Sequence, residues 1–122
     1  EDLKIKFDIK IPNIDHLVVN LSGGNQQKVS ISKWIYANLK ILIVDEPTIG
    51  VDVGAKFSIY KILKEITSEG VSVLMISSDI NETLNISDRI IVMFDGKISG
   101  ILNADEANEE KILKMASGID NE

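Results

Sequence analysis

The chain has 122 residues, 44% of them hydrophobic, which suffices for the core of one small domain. It contains no cysteine and one histidine, which excludes a disulfide scaffold, a cysteine-ligated metal and a histidine metal site. A formal net charge of -6 argues against a nucleic-acid surface, which would carry a basic patch. The longest apolar runs, such as Ile90 to Phe94, are too short to cross a bilayer, and no charged-then-apolar leader opens the chain, so the expectation is a cytosolic protein.

Ile5, Phe7, Ile9 and Ile11 alternate with Lys4, Lys6, Asp8 and Lys10, a pattern that predicts a strand. Pro12 and Asn13 end it, and residues 14–20 read as a loop, in which His16 has no partner residues nearby and reads as incidental. Leu21-Ser22-Gly23-Gly24-Asn25-Gln26-Gln27-Lys28 follows as a small-residue turn opening a helix over about residues 22–38. Ser22 is a good N-cap residue, two glycines let backbone N–H groups approach a ligand, and Val29, Ile31, Trp34 and Ile35 supply an apolar face. Such a helix start suits a phosphate, although an ordinary capped helix accounts for the same residues.

Ile41 to Val44 is a continuous apolar run, which predicts a strand buried on both faces as in a parallel sheet. Gly50 breaks the chain, and a helix is expected over about residues 53–69, with Phe57, Tyr60, Ile62, Leu63 and Ile66 as its apolar stripe and Gly70 as its stop. Residues 71–76 read as a second buried strand, residues 80–84 as a short helical stretch, and residues 89–94 as a third strand. Asp95-Gly96 signals a hairpin, so residues 97–102 should pair back antiparallel. A terminal helix over about residues 106–116, with Ile112, Leu113 and Met115 as its apolar residues, should end near Gly118. Strands alternating with helices specify α/β, with a parallel core and an antiparallel hairpin.

The carboxyl end of the first apolar strand delivers Asp45, Glu46, Pro47 and Thr48, the place where open α/β sheets bind ligands. A carboxylate there can hold Mg²⁺ through its waters, and its neighbour can polarise an attacking water. A solvated strand end followed by an Asp-Glu-Pro turn accounts for the residues equally well.

LSGGNQQK, then ILIVDEPT, then GVD, in this order and spacing, resemble the ATP-binding cassette ATPases. LSGGNQQK is similar to their signature motif, ILIVDEP to their Walker B strand with the glutamate that follows it, and residues 48–52 to their D-loop. The resemblance implies that Leu21, Ser22, Gly23, Gly24, Asn25, Gln26, Gln27 and Asp52 contact ATP, that Asp45 holds Mg²⁺ and that Glu46 is catalytic. It also implies the C-terminal part of a P-loop NTPase (RecA-like) core, a mostly parallel sheet flanked by helices, with a C-terminal antiparallel hairpin and terminal helix. Residues 1–20 would be the tail of a helical subdomain and its linker, in conflict with their strand pattern, and residues 21–122 the C-terminal part of the nucleotide-binding domain.

DEPTIGVDVGAK, the run Met75 to Asp79 and SDRIIVMFDGKISG are similar to the second cassette of the tandem ATPases that power bacterial import of ribose, galactose, xylose and related sugars. That likeness implies a partner cassette, transmembrane permease subunits, an indirect link to a periplasmic sugar-binding protein, no nucleic acid, and a peripheral place on the cytoplasmic face of the membrane. Ser78 stands where most cassettes carry a histidine that contacts the γ-phosphate, and serine is shorter and uncharged. The second cassettes of this subfamily share that substitution, whereas their first cassettes keep the histidine but have an imperfect signature. The implied consequence is a weak or silent site at Asp45 and Glu46, with Leu21 to Gln27 acting in trans on ATP held by the other cassette. No GxxxxGK[ST] P-loop and no glutamine loop occur in the chain, so the segment alone is expected not to turn over ATP. Two alternatives remain open at this stage: a non-transport cassette ATPase of DNA maintenance, disfavoured by Ser78, the acidic balance and the lack of heptads, and a non-catalytic interaction or regulatory module.

Overall fold

The alternating segment at the start of the chain is a helix followed by a turn, not a strand. In the computed structural model, which describes residues 2–119, α1 spans Asp2–Lys6 and Asp8 turns the chain with φ 47. Phe7 and Ile9 donate back to the Leu3 and Lys4 carbonyls at 3.0 and 2.9 Å, bonds a strand would not make. The reason is visible in the burial: Phe7 and Ile9 are each 5% exposed, but Ile5 is 79% exposed, so the four alternating residues share no common buried face. The buried Lys28 donates to the Asp8 carbonyl at 2.9 Å and holds the turn. Lys6 bonds Glu69 at 2.6 Å and lies 3.3 Å from Glu65, and the Glu69 bond raises the Lys6 ammonium above its ordinary pKa.

The described chain divides into two compact units, with the break between Ile76 and Ser77. In the first, α2 (Gly23–Ser32) is shorter than its sequence pattern suggests. The chain leaves it at Lys33, makes a 3-10 turn over Ile35–Ala37 and stops at Asn38 in the left-handed region, φ 50. Ile31 is buried, but Trp34 sits beyond the helix and is exposed. β1 (Ile41–Asp45) and β2 (Ser72–Ile76) pair in parallel, with Ile43 opposite Leu74 and Asp45 opposite Ile76. Neither strand is buried on both faces. Leu42 and Val44 are buried, whereas Ile41, Ile43, Leu74 and Ile76 are exposed, because burial among the described residues reaches one face of the pair only. A continuous apolar run shows that both faces can be covered, not that both are.

α3 (Val53–Ser68) packs against α2 and β2. Its buried stripe is Ile59, Ile62, Leu63 and Ile66, at i, i+3, i+4 and i+7, and it excludes the exposed Phe57. Ile59 and Ile62 are fully buried, worth about 1.5–3 kcal/mol each.

The second unit holds α4 (Ile80–Ile86), β3 (Arg89–Phe94), β4 (Lys97–Asn103) and α5 (Glu109–Ala116). β3 and β4 pair antiparallel through Asp95 and Gly96, both at positive φ as the two-residue hairpin requires, with a bulge between Val92 and Met93. Ile90, Val92 and Ile112 form the core, flanked by Ile80, Leu84, Leu102, Ala107 and Met115. Leu113, expected on the apolar face of α5, is exposed. Asn108 caps α5 by accepting from the Lys111 N–H at 2.9 Å, which sets its start at Glu109 rather than at about residue 106, and Gly118, at φ 73, ends it. No helix of the described residues is long and apolar enough to cross a membrane.

Candidate functional site

Ser22 occupies the N-cap of α2, but its side chain makes no cap hydrogen bond. Its Oγ accepts instead from the Asn25 side-chain amide at 2.9 Å, and the Asn25 Oδ1 accepts from the Lys10 N–H at 2.9 Å. The first N–H groups of a helix have no intrahelical acceptor, so the Gly23 and Gly24 amides receive no side-chain cap from Ser22. Gln26 ties down the approach to the helix, donating to the Leu21 and Val19 carbonyls at 2.8 and 3.3 Å. The Asn25 and Gln26 side chains therefore brace the turn, and the helix start carries no side-chain cap from Ser22. Gln27 is half-buried beside them.

The two glycines differ. A Cβ on Gly23 would meet only the Gly50 carbonyl oxygen, at 3.8 Å, an ordinary contact. A Cβ on Gly24 would lie 2.5 Å from the Ala55 Cβ, so Gly24 is the point where α2 and α3 approach each other. That approach brings the start of α2 alongside residues 50–55. Asp52, in this segment, caps α3 by accepting from the Ala55 N–H at 3.0 Å.

At the end of β1, Asp45 is exposed and Glu46 half-buried. Glu46 stands at φ 45, a conformation that costs a non-glycine residue on the order of 1–3 kcal/mol and tends to occur at functional sites. It is held there by its N–H, which donates to the Ile76 carbonyl at 2.8 Å, and by the buried Pro47 and Thr48 that follow. Among the described residues no group of three or more His, Cys, Asp or Glu side chains could cage a metal. Mg²⁺ does not need one, since it is held through one or two carboxylates, waters and substrate phosphates, and the exposed Asp45 fits as the single carboxylate of such a set.

Ser78 is exposed and belongs to the second unit, in the turn before α4. Its neighbours carry a connection that the motifs did not suggest: the Ser77 hydroxyl donates to the buried Glu82 carboxylate. Asp79-Ile80-Asn81-Glu82 has the spacing of a capping box, the signal from which this could have been read.

The family model described as ABC transporter matches residues 3–49. The ribose import ATP-binding protein of Clostridium perfringens (strain 13 / Type A) is 56% identical over 116 residues, which are 95% of this chain and 23% of that protein. The chain belongs to the ATP-binding cassette family. The cassette fold is equally plain in solved structures. An ATP-binding cassette of an ABC transporter superposes with a TM-score of 0.72 at 28% identity, over 83% of this chain and 42% of that one. A dimeric cassette in a post-hydrolysis state, bound to ADP and Pi, does so with a TM-score of 0.72 at 27% identity, over 84% of this chain and 44% of that one. The xylose import ATP-binding protein of Geobacillus kaustophilus is 49% identical over 118 residues, 97% of this chain and 23% of that protein. This cassette chain thus spans about a quarter of the length of the curated relatives it matches.

Proposed function

We propose that this cassette chain is part of the ATP-binding subunit of an importer for simple sugars, and that its signature residues act in trans. In this reading the Gly23 and Gly24 amides and the dipole of α2 close over the γ-phosphate of ATP held by a partner cassette. Asp45 and Glu46 belong to the chain's own nucleotide site, and hydrolysis there is weak or absent, because the sequence carries Ser78 in place of the usual histidine. Asp45 would hold Mg²⁺, which supplies charge neutralisation of the phosphates when bound. The intact protein is an ATPase, docked to transmembrane permease subunits on the cytoplasmic face of the membrane and fed by a periplasmic sugar-binding protein. The chain has no P-loop, and by itself it does not turn over ATP.

The observation that carries this reading is the start of α2, where the Ser22 side chain makes no cap hydrogen bond to the Gly24 or Asn25 N–H it would ordinarily cap and accepts from the Asn25 side chain instead. The names of the relatives support the sugar-import assignment. The open apolar face of β1 and β2 supports a cassette whose remaining part covers it.

The test is a pair of substitutions in the intact protein, Gly23→Asp and Glu46→Gln. Transport-coupled ATPase activity should collapse in the first and be largely kept in the second. The reverse result would place the productive site on Asp45 and Glu46 and sink the division of labour.

A further inference from the structure

Glu82 is a carboxylate only 2% exposed, and nothing in the proposed nucleotide chemistry uses it. The Ser77 hydroxyl donates to its Oε2. The oxygen of that same hydroxyl accepts the Asp79 N–H at 3.0 Å, and the Asp79 Oδ1 accepts the Glu82 N–H at 3.1 Å. In an ordinary capping box the glutamate at the third helical position reaches back to the N-cap N–H itself. Here the Ser77 hydroxyl is interposed, passing the bond from the Asp79 N–H to the Glu82 carboxylate. Ser78 is the residue that the Ser77-to-Asp79 bond spans.

Burial makes this connection stiff. A carboxylate out of water is tolerated only while its hydrogen bonds are kept. With its proton committed to Glu82, the Ser77 hydroxyl presents its oxygen to the Asp79 amide, and the backbone on both sides of Ser78 is held.

We propose that Ser77 and Glu82 are positioning residues that fix the backbone of Ser78 for contact with the nucleotide phosphates. This rests on the reading of Ser78 as a residue facing ATP. Neither residue touches the nucleotide; both act through the turn.

The experiment uses the intact protein and the variants S77A, S77T, E82Q and S78E. Two quantities are read: amide hydrogen exchange at Asp79, and titration with a fluorescent ATP analogue. S77A should speed exchange at the Asp79 amide on the order of tenfold and weaken the analogue at one of the protein's nucleotide sites by a similar factor, with a lowered melting temperature because the buried Glu82 carboxylate loses that donor. S77T keeps a hydroxyl and E82Q keeps an accepting oxygen, so both should stay near wild type in exchange and in binding. A merely structural role would not tie analogue affinity to the presence of that hydroxyl. Unchanged Asp79 exchange in S77A overturns the clamp. Faster exchange with unchanged binding in S77A, while S78E abolishes binding at that site, overturns the positioning role. Binding untouched by S78E overturns the underlying reading of Ser78, and is distinguished by that variant alone.

Discussion

Gly24 on α2 and Ala55 on α3 meet so closely that a Cβ on the glycine would lie 2.5 Å from the alanine Cβ. One of the two signature glycines is therefore spent on helix packing and the other on leaving the helix start open. Gly24→Ala has to push α2 off α3, and overpacking of this kind costs about 1–3 kcal/mol, partly offset by the better helix propensity of alanine. The expected net loss in urea denaturation is up to about 2 kcal/mol, with partial recovery when Ala55→Gly is added. Additive effects of the two substitutions would show that the contact is not what Gly24 serves.

Gly23 gives the opposite behaviour. A side chain fits there, and an aspartate in the first turn favours the helix macrodipole by about 0.3–1 kcal/mol. Gly23→Asp should leave the intact protein as stable as before or slightly more so, yet remove ATPase activity, because its carboxylate occupies the place of the phosphate. Loss of activity without loss of stability separates this position from Gly24, where the two would fall together. Gly24→Asp is the poorer probe of phosphate binding for that reason.

Glu46 carries backbone strain whatever its side chain does. At φ 45 a glycine is comfortable and an alanine is not, by about 1–2 kcal/mol, of which the greater freedom of unfolded glycine removes about 0.5–1. Glu46→Gly should therefore be more stable than Glu46→Ala by about 0.5–1 kcal/mol in chemical denaturation. Equal stabilities would mean that the turn relaxes in the variants and that the Ile76 carbonyl does not hold it.

In the second unit, Gly118 and Gly96 both stand in the left-handed region, at φ 73 and 72, but only Gly118 is crowded. A Cβ there would lie 2.4 Å from Cε1 of Phe94, whereas among the described residues nothing beyond the chain neighbours comes within 4 Å of one at Gly96. Gly96→Ala should cost about 1–2 kcal/mol of strain alone, and Gly118→Ala that amount plus about 1–3 kcal/mol for displacing the ring. Thermal unfolding of the two variants side by side measures the difference, and a Phe94→Leu background should shrink it.

Much of the fold was legible because its signals are local. Asp95-Gly96 can form a two-residue hairpin almost regardless of surroundings, and β3 and β4 lie where that turn put them. Gly118 after an apolar-spaced segment marked the end of α5, and the apolar run at Ile41 to Val44 marked β1. The strand expected at residues 5–11 failed because period-two alternation predicts a strand only if one face is buried, and Ile5 is not. Likewise the buried stripe of α3 contains Ile59 and not Phe57, because an aromatic residue looks like core until the direction of the neighbouring helix is known.

The site divides in the same way. Sequence by itself determined which residues are the candidates for the chemistry: the glycine turn at Leu21 to Lys28, the carboxylates Asp45 and Glu46, and Ser78 in place of a histidine. Their order along the chain encodes that much, since motif spacing is a property of the covalent chain. Only the tertiary structure decided what each one does with its neighbours. Ser22 turned out to hold Asn25 rather than cap α2, Gly24 to seat α3, Glu46 to adopt a left-handed turn, and Glu82 to reach Ser77 from a buried position. Those are contacts between residues whose separation in space is set by packing, and no local pattern of residue types contains that distance.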